Sequence, residues 1–336
     1  MSNATDSDID DFRNQVYSTA YTMYTVFGLM GNCFALFILI KTYNQSTAFH
    51  MYMLNLVISD LLFIFTLPFR VVYYVNRGHW MFGDLFCRFS SYSFYVNLYC
   101  SIFILTAMSI TRFLAVVHPV KNLRFISIKR AKWVCIGIWV FVTLTSSPFL
   151  MSGTRVHPET NLTKCFEPAE SKSSVKKLLI LNYISLTIGF IAPFITILVC
   201  YTMIIIALLN NSLKKQQSSR KKAIRMIIIV MIVFFVSFLP YHVMRTVHLH
   251  AVKNGWGAKL LHQKSVVICL ALAASNCCFD PLLYFFSGEN FRRRLSTIRK
   301  QSISTLPPDG RRKKSEGLHD KSEVLPAMER QDSDIS

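Results

Sequence analysis

Two arginines and a set of tyrosines carry the most pointed chemistry in this sequence. Arg70 follows Pro68 in LPFRVVYYV, and Tyr241, Arg245 and His248 recur at i, i+4 and i+7 in LPYHVMRTVHLH. Tyr92, Tyr95 and Tyr99 recur at i, i+3 and i+7. Each spacing lines one face of a helix. Guanidinium groups bind carboxylate or phosphate and rings cover apolar surface, so such a cluster would take an anionic, amphipathic ligand. The competing reading makes the tyrosines membrane-interface residues and lets the arginines snorkel to lipid headgroups. Arg70 fits the first reading better, because Val71, Val72 and Tyr73 continue the apolar run beyond it.

A second set is acidic and sits deeper in apolar sequence. Asp60 and Asp280 are the carboxylates; Asn97 and Ser101 lie one turn apart, as do Asn276 and Asp280. Two carboxylates with amide and hydroxyl oxygens suit a hard monovalent cation, sodium above all, with water. A protonated or water-bridged network without an ion is the alternative. A third feature is Arg112, set in SITRFLAVVHP with no acid beside it. Nothing reads as catalytic: GxSxG, Walker A, HExxH and GxGxxG are all absent, and no nucleophile can be given a base. The nine cysteines show no CxxC pair or metal-ligand spacing. Most read as buried free thiols.

The elements that position these residues follow from composition. The 336 residues are 52% hydrophobic and 16% charged, against about 25% charge in an ordinary soluble domain. About 20 apolar residues are needed to cross about 30 Å of hydrocarbon. Seven stretches qualify, near 16–42, 50–76, 86–118, 130–151, 177–209, 220–251 and 262–287. The expected organisation is an extracellular N-terminus (1–15), a seven-helix domain (16–287), a short amphipathic helix on the inner membrane surface (288–300) and a disordered cytoplasmic tail (301–336). The net charge of +19 is segregated, which argues for membrane orientation and against nucleic acid. Lys and Arg number 23 in the connections on one side and 11 on the other. The positive-inside rule then puts the N-terminus outside and the tail inside. No cleavable leader is apparent in the acidic first residues, so the first apolar helix is expected to direct its own insertion.

Sequons at Asn3 and Asn161 fall on the outer side, where glycosylation is possible. Cys87, opening the third span, and Cys165, in the second outer loop, both face the oxidising side, and a disulfide between them would shape the mouth of a pocket. Pro68, Pro148, Pro193, Pro240 and Pro281 lie within spans. Each removes a backbone hydrogen bond, and a helix bundle tolerates this where neighbours replace it.

Together these residues carry a resemblance. Gly31-Asn32, LVISD ending at Asp60, Trp80 with Cys87, Arg112, Trp139, Pro193 with Tyr201, FVSFLPY around Pro240 and DPLLY from Asp280 to Tyr284 resemble the motifs of rhodopsin-like (class A) G protein-coupled receptors. FSGENFRRRL resembles their short eighth helix. DDFRNQVYS, LPFRVVYYV, YVNLYCSIF, SSPFLM, CFEP and AASNCCFDPLLYFFSGENFRRRLST narrow the likeness to the cysteinyl leukotriene receptor family, its type 1 branch more than its type 2 branch.

The resemblance implies an all-α, seven-transmembrane bundle at the plasma membrane and no enzyme activity. It implies cysteinyl leukotrienes as ligands, contacted by Tyr17, Arg70, Tyr95, Tyr241, Arg245 and His248, with Tyr99 on the same face of span three. It further implies a heterotrimeric G protein, mainly of the Gq/11 class with Gi as a second, acting through phospholipase C and calcium release. Arrestin would bind after phosphorylation at tail serines such as Ser296, Ser302, Ser304, Ser315 and Ser322. Membrane lipids would meet the basic 214–225 segment. Arg112, Tyr201, Phe238, Pro240, Asp280, Pro281 and Tyr284 would form the activation switch. The rivals are a same-fold receptor for nucleotides or another anionic lipid and, in a different class, an ion-coupled transporter or channel using Asp60 and Asp280.

The sequence departs from the family pattern at informative places. Thr111 stands where most members have an acid before the arginine, Phe238 where a tryptophan is usual, Ser237 where a cysteine is usual, and Asp280 where most have asparagine. Cys87 to Arg112 is 25 residues, about 37 Å of helix, so Arg112 reaches the cytoplasmic end. Thr111 cannot form the ion pair that an acid would make with it in the resting state. Thr111→Asp should therefore lower basal G protein activation, measured as nucleotide exchange without ligand; unchanged or higher basal exchange would contradict this.

Overall fold

A computed structural model of the chain describes residues 2–45, 47–118, 126–151, 153–157, 161–166, 172–210, 217–254 and 260–286. The 288–300 segment, the tail serines and all of 301–336 lie outside these residues, as does the side chain of Asn3. Among the described residues seven helices are long and apolar enough to cross a membrane: Asp8–Lys41, Ala48–Val75, Asp84–Val117, Ile128–Met151, Val175–Leu209, Ile224–Asn254 and Leu261–Phe285. They are the first to seventh spans below. The first helix itself starts at Ser2, earlier than the apolar pattern suggested. Hydropathy marks where lipid begins, not where helix begins, and the Asp10–Arg13 pair at i, i+3 supports the polar turns.

The exposed apolar side chains, Phe27, Phe37, Phe65, Trp133 and Leu144 among them, point away from the bundle. A membrane protein shows lipid such a surface. The buried polar set is the more telling one: Asn32, Asp60, Arg70, Ser90, Asn97, Ser101, Ser109, Asn276 and Asp280 all face inward.

The prolines break the spans, and a neighbouring side chain or a shortened turn answers three of the breaks. Pro281 has no N–H for the carbonyl of Cys277, four residues back; Asn32 Nδ2 of the first span donates to that carbonyl instead, at 2.8 Å. Gly31 makes the approach possible, because a Cβ there would stand 3.2 Å from the Pro281 ring. At Pro148 the Ser147 N–H shifts to the Leu144 carbonyl. That leaves the Thr143 carbonyl, which accepts from the Tyr92 hydroxyl at 3.1 Å. Near Pro68 the Thr66 N–H turns to the Phe63 carbonyl. The freed Leu62 carbonyl then faces the Ser93 hydroxyl at 3.4 Å. Pro193 and Pro240 each follow a widened, π-type turn, Thr187–Ile191 and Phe234–Phe238. Tyr92 is thus a structural donor to the fourth span.

One end of the bundle is closed over by a short antiparallel hairpin, β1 (Arg155–Val156) and β2 (Thr163–Lys164), with Arg155 opposite Lys164. The helical reading of the sequence did not include it. The Cys87–Cys165 disulfide joins it to the third span. Tyr73 donates to the Cys165 carbonyl at 2.8 Å, and Asp84 accepts from the Thr154 N–H at 2.7 Å. Asn161 is exposed at the hairpin turn. This is called the disulfide end below; Arg112 marks the other.

Asn32→Ala should leave the Cys277 carbonyl without a donor and destabilise the chain by about 1–3 kcal/mol. A thermal melt of the purified protein reads this as a lower Tm; an unchanged Tm would remove the bond from the account.

Candidate ligand-binding site

Arg70 is the buried anchor at the disulfide end, with 4% of its surface exposed. Its Nε donates to Ser90 Oγ at 3.0 Å and its Nη2 to the Ser90 carbonyl at 2.8 Å. Its guanidinium lies 4.2 Å from the centre of the Phe166 ring, 5.8 Å from Phe94 and 5.9 Å from Tyr21. Two of five donors are therefore committed to one residue of the third span, and the flat faces are covered by rings. Ser90 holds the group at a fixed angle, which a freely snorkelling arginine would not have.

Arg245 is the second anchor. Its Nη1 donates to the Tyr241 hydroxyl one turn away. Its guanidinium stands 5.3 Å from the Tyr95 ring and 5.5 Å from Phe149. Tyr95 and Phe149 are themselves stacked, 12° from parallel. Phe94 links the two anchors: it lies under Arg70 and packs edge-on against Tyr241, with centres 6.2 Å apart. The arginines thus occupy two walls of one region, in spans two and six, with span three between them.

The remaining expected contacts divide. Tyr17 is 3% exposed, stacks on Tyr21 and packs at a tilt against Tyr74, so it belongs to the aromatic wall beside Arg70. Tyr99 packs near His242, and a Cβ at Gly189 would stand 2.7 Å from its ring, so the widened turn in span five exists in contact with it. His248 turns to His262 of the seventh span, with ring centres 5.7 Å apart. Ser90, Phe94, Phe149 and Phe166 were not singled out from the sequence. Phe149 and Phe166 follow Pro148 and Cys165 directly, and only the fold brings them to the arginines.

Toward the middle of the bundle Asn97 Nδ2 donates to Asp60 Oδ1 at 2.8 Å, and Asn276 Nδ2 to Ser101 Oγ at 3.3 Å. Asp60 and Asp280 are 0% and 1% exposed, and among the described residues Asp60 Oδ2 has no hydrogen-bond partner. The donor set fits a small hard cation: oxygen atoms aimed inward from three spans, with negative charge to neutralise. Among the described residues no group of three or more His, Cys, Asp or Glu could hold a metal ion.

At the far end the Arg112 guanidinium lies 5.2 Å from the centre of the Phe49 ring. Thr111 bonds back to the Ala107 carbonyl at 2.8 Å. Ser109 donates to the Tyr201 hydroxyl at 2.8 Å, tying spans three and five. Phe238 is fully buried and packs edge-on to Phe234 within the widened turn before Pro240. Tyr284 is 5% exposed, one turn past Pro281.

The profile of the 7 transmembrane receptor (rhodopsin family) matches residues 31–284, most of this bundle. The chain belongs to the rhodopsin family of seven-transmembrane receptors. It is 57% identical to human cysteinyl leukotriene receptor 1 over 319 residues, 94% of either chain. It is 44% identical to human cysteinyl leukotriene receptor 2 over 301 residues, 89% of this chain and 86% of the relative. A purinoceptor of Gallus gallus is 34% identical over 304 residues, 89% of this chain and 83% of the relative. As a rhodopsin-family receptor the chain is a multi-pass membrane protein with a ligand and a G protein as partners, and not an enzyme.

The Phe49 ring is a neutral contact of the Arg112 guanidinium. Cation–π contacts contribute about 0.5–1 kcal/mol at partly exposed sites. Phe49→Ala should therefore raise ligand-free nucleotide exchange by roughly two- to five-fold; basal exchange equal to that of the parent receptor would deny Phe49 this role.

Proposed function

We propose that the chain is a plasma-membrane receptor for cysteinyl leukotrienes that couples mainly to the Gq/11 class, with its N-terminus outside and its tail in the cytoplasm. The observation that carries the ligand assignment is the pair of ring-walled guanidinium groups, Arg70 and Arg245, on opposite walls at the disulfide end. A cysteinyl leukotriene is an acidic lipid joined to a peptide fragment. Its carboxylates match the two arginines, and its hydrocarbon matches Tyr95, Tyr99, Tyr241, Phe94 and Phe149. The names of the relatives, two leukotriene receptors among them, support the same reading.

Binding would favour the state in which the Arg112 end is open, and the G protein would select that state from the other face. Asp60, Asn97, Ser101, Asn276 and Asp280 would hold a sodium ion that favours the closed state. Agonist affinity should then fall as sodium replaces choline in the medium. Asp60→Asn should remove that dependence, and a sodium effect that survives the substitution would place the ion elsewhere.

The deciding experiment is calcium release in cells expressing the chain, with cysteinyl leukotrienes beside a nucleotide panel. The expected result is a leukotriene response lost at least ten-fold in potency on Arg70→Ala or Arg245→Ala, with surface expression intact; losing a charged hydrogen-bonding partner costs about 1.5–3 kcal/mol. A response to nucleotides alone would transfer the site to the chemistry suggested by the purinoceptor relative and overturn the leukotriene assignment.

A further inference from the structure

A third cation lies beside the arginine region and was not singled out from the sequence. Lys164, in β2, is 6% exposed. It precedes Cys165 and Phe166, whose ring covers the Arg70 guanidinium at 4.2 Å. Its ammonium is tucked against the turn after span two: a Cβ at Gly78 would stand 3.1 Å from Lys164 Nζ. Across the hairpin its partner is Arg155, another cation. Among the described residues one carboxylate lies within 4 Å of it, that of Asp10 in the first helix, at 3.9 Å. Asp84, also at this end, is taken by Arg88 and Thr154. A buried ammonium needs a counter-ion, and here the supply is uneven. Asp10 also meets Arg13, at the shorter distance of 2.9 Å. One carboxylate thus serves two cations, and the longer contact is the one to the buried lysine. The Asp10 side chain is 44% exposed, so it can turn to water and keep Arg13.

We propose that Lys164 is a third anion subsite, for a carboxylate on the polar peptide part of the ligand, and that Asp10 occupies it as an internal counter-ion until the ligand displaces it. The inference rests on the acidic-ligand reading given above. The hydrocarbon of such a ligand lies among the rings near Arg245, which leaves its charged peptide part toward the hairpin. A carboxylate arriving at Lys164 gains a charge-assisted hydrogen bond. Asp10 gives up a long contact and retains a short one. The exchange favours acids over neutral lipids of the same shape, and it makes the first helix a part of ligand selection.

Binding of a labelled cysteinyl leukotriene to the full chain in lipid nanodiscs tests this, with the Tm of each variant reporting its folding separately. Lys164→Gln should weaken affinity about three- to ten-fold. Asp10→Asn keeps the shape and removes the competing charge, and should strengthen affinity about two- to five-fold. A leukotriene analogue with its peptide carboxylates amidated should bind both variants as it binds the parent. The double variant Asp10→Lys with Lys164→Asp rebuilds an ion pair of reversed polarity, and should bind the acid no better than Lys164→Gln does. Parental affinity in the double variant, weaker binding in Asp10→Asn, or an equal loss of acid and amide in Lys164→Gln would make the pair a structural strap and overturn the proposal. Binding by the parent that is unchanged in both single variants would overturn the subsite alone. No leukotriene binding by a folded parent chain would overturn the ligand assignment and the subsite with it.

Discussion

A backbone carbonyl inside a bilayer has no water to turn to, and this constraint organises the bundle. Five prolines sit in the spans and disturb the hydrogen bonding of the turns before them. The replacements come from elsewhere in the fold: Asn32 for span seven, Tyr92 for span four, Ser93 beside span two. Two of those donors belong to span three, which therefore fixes its neighbours by answering their defects. The cost of an unanswered carbonyl makes these three kinks specific to their packing partners. A kinked helix that would be a weakness in isolation becomes, in the bundle, a register mark.

The same span carries the functional polarity from end to end. Ser90 holds Arg70, Tyr95 faces Arg245, Asn97 reaches Asp60, Ser101 meets Asn276, Ser109 bonds Tyr201 and Arg112 closes the line at Phe49. In a medium of low dielectric these contacts are strong, and an unpaired member is costly. A shift of span six about its proline turn changes the Tyr95–Arg245 contact, and a shift of span seven changes the Ser101–Asn276 bond. That is the physical basis on which a ligand at one end and a protein at the other can bias one equilibrium. Thr111 bonds back along its own helix, and Phe49 sets a ring beside the Arg112 guanidinium.

Much of the architecture was legible in the chain as written. Apolar runs of spanning length, the buried acids, the prolines and the two loop-side cysteines pointed to a seven-helix membrane protein, because a bilayer imposes length and composition on each span separately. Arg70 and Arg245 stood out for the same reason: a charge in an apolar run is expensive wherever it packs. The helical turns before residue 16 were not legible, since polarity reports where lipid begins and not whether the backbone stays helical. Nor was the short hairpin, whose two residue pairs are held in place by the disulfide and by Tyr73 rather than by strand propensity.

Helix periodicity placed Tyr92 with Tyr95 and Tyr99, but the broken turn at Pro148 drew its hydroxyl to the Thr143 carbonyl. The walls around the arginines, from Phe94, Phe149 and Phe166, are assembled from the third span, the end of the fourth and the loop beyond it. The facing of His248 and His262 likewise needs two spans brought side by side. The sequence by itself determined which residues the membrane would force inward, because that cost is paid residue by residue. Only the tertiary structure decided which of them meet, because partners are chosen by how kinked helices pack and not by their spacing along any one of them.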